Sequence, residues 1–113
     1  KAIIQALRRA GAKKISMVIT YPPIKFPCYA GIDFPSQDEL ATFSDSKELN
    51  EAELTEMVKR SIGADFLGYN DAANLAAAVG IPENSMCFTC SSGDYDSLGI
   101  TPEFKTRLEM KGE

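Results

Sequence analysis

Three cysteines are the residues of this sequence whose type and spacing could do chemistry. Cys87 and Cys90 form a Cys-x-x-Cys motif in the segment "SMCFTCSSGDYD", and Cys28 lies far upstream in "IKFPCYAGID". Two thiolates at this spacing can bind the same metal ion or cluster. Structural zinc ions and iron-sulfur clusters prefer a shell of four ligands. Either one thiol is therefore not a ligand, or the fourth ligand lies outside this chain.

Spacing alone leaves three interpretations of the motif open. A thioredoxin-like redox pair needs its first cysteine at the start of a continuing helix, whereas the residues that follow here, "SSGDYD", favour a turn. In the second interpretation the cysteines are buried or surface thiols that are unrelated to one another. In the third they bind a metal ion or cluster. Metal binding requires that Cys28 and a further ligand join Cys87 and Cys90.

Other candidate ligands are weaker than the thiols. Asp33, Asp94 and Asp96 lie in glycine-bearing turns, where carboxylates more often accept hydrogen bonds from backbone amides than bind metal. The glycines are scattered helix stops and turns that form no phosphate-binding loop. Since the sequence has no histidine, a metal site here must be built from thiolates or carboxylates.

Composition predicts a single globular domain. The 113 residues carry a net charge of -4, with 44% apolar and 25% charged residues, which is ordinary for a folded protein. This balance gives no electrostatic surface for nucleic acid. No apolar run approaches the roughly 20 residues of a membrane span, and free cysteines suit a reducing compartment, so we expect a soluble cytoplasmic protein. A short basic cluster is interpreted as the solvated face of a helix: Lys1, Arg8, Arg9, Lys13 and Lys14.

The first elements predict an α/β fold. Apolar spacing predicts a helix over residues 2–10, and the run that contains Ile15, Met17, Val18 and Ile19 predicts a strand over residues 14–20 that is buried on both faces. Helix and strand are typical of the second half of a β-α-β unit whose first strand is missing. We therefore expect a fragment of a longer protein, with an incomplete sheet that packs against something the chain does not contain.

The remaining elements follow from turn and cap signals. A proline-rich loop should follow Ile19, and Ser36 with Glu39 should begin a short helix. A longer helix is predicted over residues 46–62, a strand over 64–70, and a helix that Asp71 caps and Gly80 ends. Pro82 begins a turn. Residues 1–95 should form the folded part, and residues 96–113 a loosely held tail.

Four segments, taken together and in order, resemble one enzyme family. They are "ALRRAGAKKISMVI", "SMVITYPPIKFPCYAGID", "IGADFLGYNDAANLAAAVG" and "CFTCSSGDY", and they span about Ile3 to Tyr95. Together they resemble the C-terminal part of the glutamine phosphoribosylpyrophosphate amidotransferases, in the branch that carries an iron-sulfur cluster. The resemblance implies a C-terminal fragment of a type I phosphoribosyltransferase domain.

The resemblance also implies a ligand set. In that branch four cysteines hold a [4Fe-4S] cluster, and three of them match Cys28, Cys87 and Cys90 by position. The fourth lies upstream, in a region that this chain lacks. Three cysteines are thus the number expected of such a fragment.

The same resemblance implies what the chain lacks. The family's glutaminase domain and its acidic phosphoribosylpyrophosphate loop, where Mg²⁺ binds with that substrate, fall before Lys1. No catalytic residue and no cofactor-binding residue other than the cysteines is therefore expected here. The implied partners are the remainder of the parent polypeptide and further copies of it in a homo-oligomer. The alternative is a free-standing, non-enzymatic module that binds zinc or a partner through the same thiols.

Overall fold

The predicted first helix and first strand are both present. A computed structural model describes residues 1–30, 38–43, 49–101, 103, 104 and 107. Helix α1 spans Ala2–Arg9, and strand β1 spans Ser16–Ile19. Both elements are slightly shorter than the predicted ranges of 2–10 and 14–20.

A strand–helix–strand unit forms the centre of the fold. Strand β1 is followed along the chain by helix α2 (Glu51–Ile62) and strand β2 (Phe66–Tyr69). The strands pair in parallel, with Ser16 opposite Phe66 and Ile19 opposite Tyr69, while α2 packs on β2. The prediction placed β1 at the end of a β-α-β unit that began outside the chain. In the structure β1 also begins such a unit, which lies within the chain.

Local signals set the bounds of α2. The Asn50 side chain accepts a hydrogen bond from the Glu53 amide at 2.9 Å, and the Glu53 carboxylate accepts one from the Asn50 amide at 3.1 Å. This capping box begins the helix at Glu51, later than predicted, because it holds Asn50 in extended backbone. Gly63 ends the helix in the left-handed conformation at φ +79°.

One face of the sheet is open, which corrects the prediction that β1 is buried on both faces. Leu67 is buried, whereas the side chains of Val18 and Phe66 remain 71% and 53% exposed. Exposure alternates along β1 because only one face of this two-stranded sheet is covered within the described residues. The apolar run of β1 therefore includes positions that no described residue buries.

Arg8 was predicted to face water but links three segments. Its guanidinium donates to the Asp65 carboxylate at 2.6 Å and to the Lys13 carbonyl at 2.8 Å. The same Asp65 oxygen accepts from the Ile15 amide at 2.7 Å. Together these bonds fix the end of α1 and the start of β1 beside the residues that lead into β2. The predicted apolar stripe of α1 is only partly buried, since Ile4 is covered and Ile3 is 70% exposed.

The later elements follow the cap signals. Helix α3 (Ala72–Val79) begins after Asp71, whose carboxylate accepts from the Asn74 amide at 2.7 Å, and it ends at Gly80. A 3-10 turn spans Glu83–Ser85, helix α4 spans Thr89–Ser92, and a second 3-10 turn spans Asp96–Leu98. The helix start predicted at Ser36 lies outside the described residues, but residues 38–43, which that helix would include, form turns. Most of the predicted tail beyond residue 101 also lies outside the described residues.

The buried apolar residues lie in helices α1, α2 and α3, in strand β2 and at two positions between elements. No helix in the described part of the chain is long and apolar enough to span a bilayer. Thr89 is the buried polar residue of the described set, and the apolar core consists of Ile4, Ile15, Leu54, Val58, Leu67, Ala76 and Tyr95.

Candidate functional site

The proline-rich segment after β1 packs against the Cys-x-x-Cys motif. Pro22, Pro23 and Pro27 are buried, and their fixed backbone keeps this segment extended. The amides of Lys25 and Phe26 both donate to the Cys90 carbonyl at 2.9 Å. Two segments more than 60 residues apart in sequence are thereby joined beside Cys28.

A buried tyrosine also supports the proline-rich segment. The Tyr95 hydroxyl donates to the Pro27 carbonyl, one residue before Cys28. Its ring lies 5.2 Å from that of Tyr29, measured between centroids. Cys28 is therefore flanked by one residue whose carbonyl is bound and another whose ring is packed.

Tyr21 contacts the motif itself. Its hydroxyl donates to the Cys87 carbonyl at 2.8 Å and lies 3.8 Å from the Cys90 sulfur. Its ring stacks on Phe88, with centroids 5.6 Å apart and planes inclined by 29°. One side chain thus reaches both cysteines of the motif and a residue between them.

The motif occupies the start of a short helix. Cys87 precedes α4, Cys90 lies within it, and Gly93 ends it at φ +78°. Thr89 is buried, and its hydroxyl oxygen lies 3.5 Å from the Cys87 sulfur. The turn expected in "SSGDYD" therefore comes later than predicted, because Ser91 and Ser92 complete the helical turn before Gly93 reverses the chain.

The three thiols are free and differ in exposure. Cys28 and Cys90 are half-buried, whereas Cys87 is exposed. Burial raises the pKa of the Cys90 thiol, and the nearby Cys28 and Cys87 raise it further, while the Tyr21 hydroxyl opposes this shift. Cys90 is therefore a half-buried thiol whose neutral form is favoured by burial.

The pKa values of two neighbouring tyrosine hydroxyls are raised as well. Burial raises the pKa of Tyr95 to about 12, with contributions from Cys90 and Cys28. Burial also raises the pKa of Tyr21, with further contributions from its bond to Cys90 and from the charges of the cysteines. Both phenols therefore stay protonated at neutral pH and remain available as hydrogen-bond donors.

The donor chemistry of this site suits a soft metal or a cluster. Thiolates are the ligands that iron-sulfur clusters and structural zinc ions use most. Across the described residues, however, no three cysteine, aspartate, glutamate or histidine side chains are arranged as a group that could hold a metal ion. The assignment of Cys28, Cys87 and Cys90 as ligands accordingly stays a prediction.

The acidic candidates divide as follows. The Asp94 carboxylate accepts from the Asp96 amide at 3.0 Å, which confirms its predicted role in a turn. The Asp96 side chain is exposed in the first turn of a 3-10 segment. Asp33 lies outside the described residues.

Sequence reasoning missed the two tyrosines that hold the site. It noted that the proline-rich loop contains aromatics but gave no role to Tyr21 or Tyr95. The available signal was an aromatic residue within eight positions of a cysteine on each of the two segments. Such spacing is common in packed loops, and only the fold shows which backbone groups the hydroxyls reach.

Comparison with known proteins finds one enzyme repeatedly. The amidophosphoribosyltransferase of Mycobacterium tuberculosis is 42% identical over 95 residues, which are 84% of this chain and 18% of that protein. That of Methanothermobacter thermautotrophicus is 37% identical over 95 residues, or 84% of this chain and 18% of its own length. Amidophosphoribosyltransferase 1, chloroplastic, of Arabidopsis thaliana is 39% identical over 93 residues, or 82% of this chain and 15% of that protein.

These matches cover most of this chain but little of each relative. No family model matches the chain. The chain spans 15–18% of the length of these curated relatives, which come from a bacterium, an archaeon and a plant. Identity of 37–42% over more than 90 residues confirms the resemblance found in the sequence. The chain is therefore homologous, over most of its length, to a segment of the amidophosphoribosyltransferases.

Proposed function

We propose that this chain is a C-terminal segment of an amidophosphoribosyltransferase and that it contributes structure and cluster ligands to the enzyme. The homology over 84% of the chain, set against 18% of the relative, is the observation that carries this proposal. The parent enzyme would transfer ammonia from glutamine to phosphoribosylpyrophosphate and form phosphoribosylamine. This is the first committed step of purine synthesis.

The fold fits a piece of a larger α/β domain. We propose the type I phosphoribosyltransferase fold for the parent, and the parallel β1–α2–β2 unit supports this assignment. The open sheet face that bears Val18 and Phe66 would pack against the remainder of the parent polypeptide. The same proposal includes a homo-oligomer. It also includes a cytoplasmic location, since a reducing compartment keeps all three thiols free.

The catalytic groups of both half-reactions would lie elsewhere in the parent. Amide hydrolysis requires an activated nucleophile, and phosphoribosyl transfer requires groups that bind Mg²⁺ and pyrophosphate. The exposed Cys87 is paired with a threonine hydroxyl and has no histidine beside it, because the chain contains none. We assign no catalytic residue to this segment.

Cys28, Cys87 and Cys90 would hold a [4Fe-4S] cluster together with a fourth cysteine from another part of the parent. The convergence of the two cysteine-bearing segments through the Cys90 carbonyl supports this assignment. The cluster would supply a structural link or a sensor of oxygen. This chain's residues would orient three of its ligands and partly shield Cys28 and Cys90 from water.

Reconstitution with iron and sulfide in the absence of oxygen tests the proposal. The 113-residue chain and the full-length parent would be treated in parallel and assayed for iron, sulfide, glutamine hydrolysis and phosphoribosylpyrophosphate consumption. We expect the parent to be brown and active. The chain alone should be inactive and should hold the cluster poorly, because one iron would lack a protein thiolate.

Three results would contradict this proposal. Turnover by the chain alone would show that catalytic residues lie within it. A stable four-iron cluster on the chain alone would show that it does not need a fourth cysteine. A colourless, zinc-containing parent would favour the zinc-binding module instead. If the proposal is right, replacement of each cysteine by serine in the parent should abolish the brown colour.

A further inference from the structure

We propose that the outer edge of β1, the edge away from β2, pairs in parallel with a strand of the parent polypeptide that precedes α1. This inference rests on the proposed function, because it requires a parent longer than this chain, which spans 18% of a curated relative. It concerns backbone groups at one edge of the sheet, whereas the proposed function concerns side chains on its open face.

The backbone of β1 shows which of its groups remain for another strand. The Ile15 and Ile19 carbonyls accept from the amides just before and just after β2, at 2.9 Å and 3.0 Å. Successive residues of a strand direct their backbone groups to alternate edges, so Ser16 and Val18 direct theirs away from β2. The sheet of the described residues has two strands, and none of these residues extends it at this edge.

The outer edge of β2 is a second place where a strand could be added. The Phe66 amide donates to the Ile15 carbonyl at 3.3 Å, and the Asn70 amide donates to the Ile19 carbonyl. By the same alternation, the residues between them at positions 67 and 69 direct their amides away from β1. Hydrogen bonding alone therefore does not decide which edge is extended.

The placement of the two helices decides between the edges. Helix α2 packs on β2, over the face where Leu67 is buried. Ile4 of α1 is also buried, and its Cγ2 lies 4.0 Å from the position that a Cβ on Gly63, at the end of α2, would take. The opposite face is the open one, where Val18 is exposed. Both helices therefore lie on the same side of the sheet.

Helices on the same side of a sheet fix the direction in which the chain crosses it. Parallel strands joined through a helix almost always form a right-handed crossover. Two crossovers of the same hand, with helices on the same side, step across the sheet in the same direction. The chain steps from β1 to β2 through α2, so a strand that leads into β1 through α1 lies beyond β1. A strand added to β2 would instead require α1 to cover the open face.

Burial of the open face would make this pairing necessary. When the remainder of the parent covers that face, the backbone groups of Ser16 and Val18 lose contact with water. Buried amides and carbonyls without partners are costly, and a parallel strand supplies both kinds of partner. The added strand should be apolar on both of its faces, because it would lie between α1 and the covering polypeptide.

Hydrogen exchange of single backbone amides tests the inference in the 113-residue chain and in the full-length parent. Mass spectrometry with fragmentation resolves the individual amides. The Ser16 and Val18 amides should exchange about 100-fold more slowly in the parent, because an amide bonded within a sheet exchanges only when the structure opens. The outward amides of Leu67 and Tyr69 are the matched control, and their rates should change less.

A comparison of Val18→Pro with Val18→Ala gives a second measurement. Both substitutions replace the side chain, but only proline removes the amide hydrogen. In the 113-residue chain the two variants should unfold at similar temperatures, since proline is tolerated where a strand amide faces solvent. In the parent Val18→Pro should unfold at a lower temperature than Val18→Ala. An equal gap in the two proteins would overturn the inference.

Other exchange results would also overturn the inference. Rapid exchange of Ser16 and Val18 in the parent would show that no strand pairs there. Protection gained only by Leu67 and Tyr69 would place the added strand on β2. Protection of Ser16 and Val18 that increases with the concentration of the 113-residue chain would assign the edge to a second copy.

The inference and the proposed function can fail separately. Glutamine hydrolysis and phosphoribosylpyrophosphate consumption test the function, whereas exchange at Val18 tests the strand. An active parent whose Val18 amide exchanges rapidly would refute the inference alone. An inactive parent whose Val18 amide is protected would refute the proposed function and leave the strand pairing established.

Discussion

At the scale of single residues, Asp65 makes stability depend on pH. One of its carboxylate oxygens accepts from the Ile15 amide and from the Arg8 guanidinium. The Ile15 bond and, after it, the Arg8 bond hold the pKa of Asp65 below its ordinary value. A depressed pKa in the folded state stabilises the protein above the unfolded pKa of about 4, and this contribution is lost as the pH falls through the folded pKa.

We therefore expect Asp65→Asn to lower the unfolding temperature at neutral pH. The difference from the wild type should shrink at pH values below about 4, because the wild-type carboxyl then becomes neutral as well. Thermal melts between neutral and acidic pH measure this, with the exposed Asp96→Asn as the matched control. A difference that persists unchanged into acid would show that the charge of Asp65 does not matter.

Gly93 and Gly80 form a matched pair at the same scale. Both have positive φ, +78° and +81°, so alanine at either position is strained by about 1–2 kcal/mol. A Cβ at Gly93 would in addition lie 3.0 Å from the Phe26 ring, whereas no atom of the described residues lies within 4 Å of one at Gly80. Gly93→Ala should therefore destabilise the chain more, by about a further 1–3 kcal/mol if the ring cannot move aside.

Denaturant unfolding of Gly93→Ala and Gly80→Ala measures that difference. Phe26 also donates its amide to the Cys90 carbonyl, so displacement of its ring would be transmitted to the cysteine site. Equal free energies of unfolding in the two variants would show that the Phe26 ring moves aside without cost.

At the scale of elements, helix caps were the most predictable features. Asp71 and Gly80 were identified as the limits of α3 from sequence, because a cap depends on residues only a few positions apart. The start of α2 was misplaced, since the apolar pattern before Glu51 resembles a further helical turn. The capping box at Asn50 decides the boundary and was not recognised.

We expect Asn50→Ala to destabilise α2 by about 1 kcal/mol, because it leaves the Glu53 amide without its acceptor. Asn50→Ser retains a side-chain acceptor and serves as the control. Hydrogen exchange of the amides in the first turn should be faster in Asn50→Ala, whereas those near Ile62 should change little. Equal exchange in the alanine and serine variants would contradict a role for the cap.

The elements around the cysteines were less predictable than the helices. Over residues 20–30, the described part of the proline-rich segment, the expectation of neither helix nor strand is confirmed. The contact of this segment with α4 depends on residues such as Lys25 and Cys90 that are far apart in sequence. Local patterns carry no information about such pairings. The grouping of Cys28 with Cys87 and Cys90 came from family resemblance, and spacing alone left it open.

At the scale of the whole molecule, the sheet exposes apolar surface that sequence reasoning expected to be covered. The apolar run of β1 indicated burial on both faces, but Val18 remains 71% exposed and Phe66 53% exposed. The apolar pattern of a strand indicates that its faces are to be buried, but it does not indicate which part of a protein buries them. If the chain is a segment of a larger enzyme, as proposed, the remaining polypeptide would cover this face. The apolar residues of the sheet and their exposure in this chain would then have the same cause.

The open sheet face leads to a prediction that compares the chain with its proposed parent. In the 113-residue chain, Val18→Ala should change the free energy of unfolding by no more than about 0.5 kcal/mol, as expected of an exposed side chain. Leu67→Ala, on the buried face, should cost about 2–5 kcal/mol. In the full-length enzyme Val18→Ala should become costly, by about 2 kcal/mol, because two buried methyl groups are removed.

Denaturant unfolding of the chain, and thermal unfolding of the full-length enzyme with and without Val18→Ala, measure the two sides of this comparison. Phe66 provides an independent check, since its ring lies over Gly68 on the same face and Phe66→Ala should follow the same pattern. If both substitutions leave the unfolding temperature of the full-length enzyme unchanged, this face stays exposed there. Its apolar residues would then need an explanation other than contact with the remainder of the polypeptide.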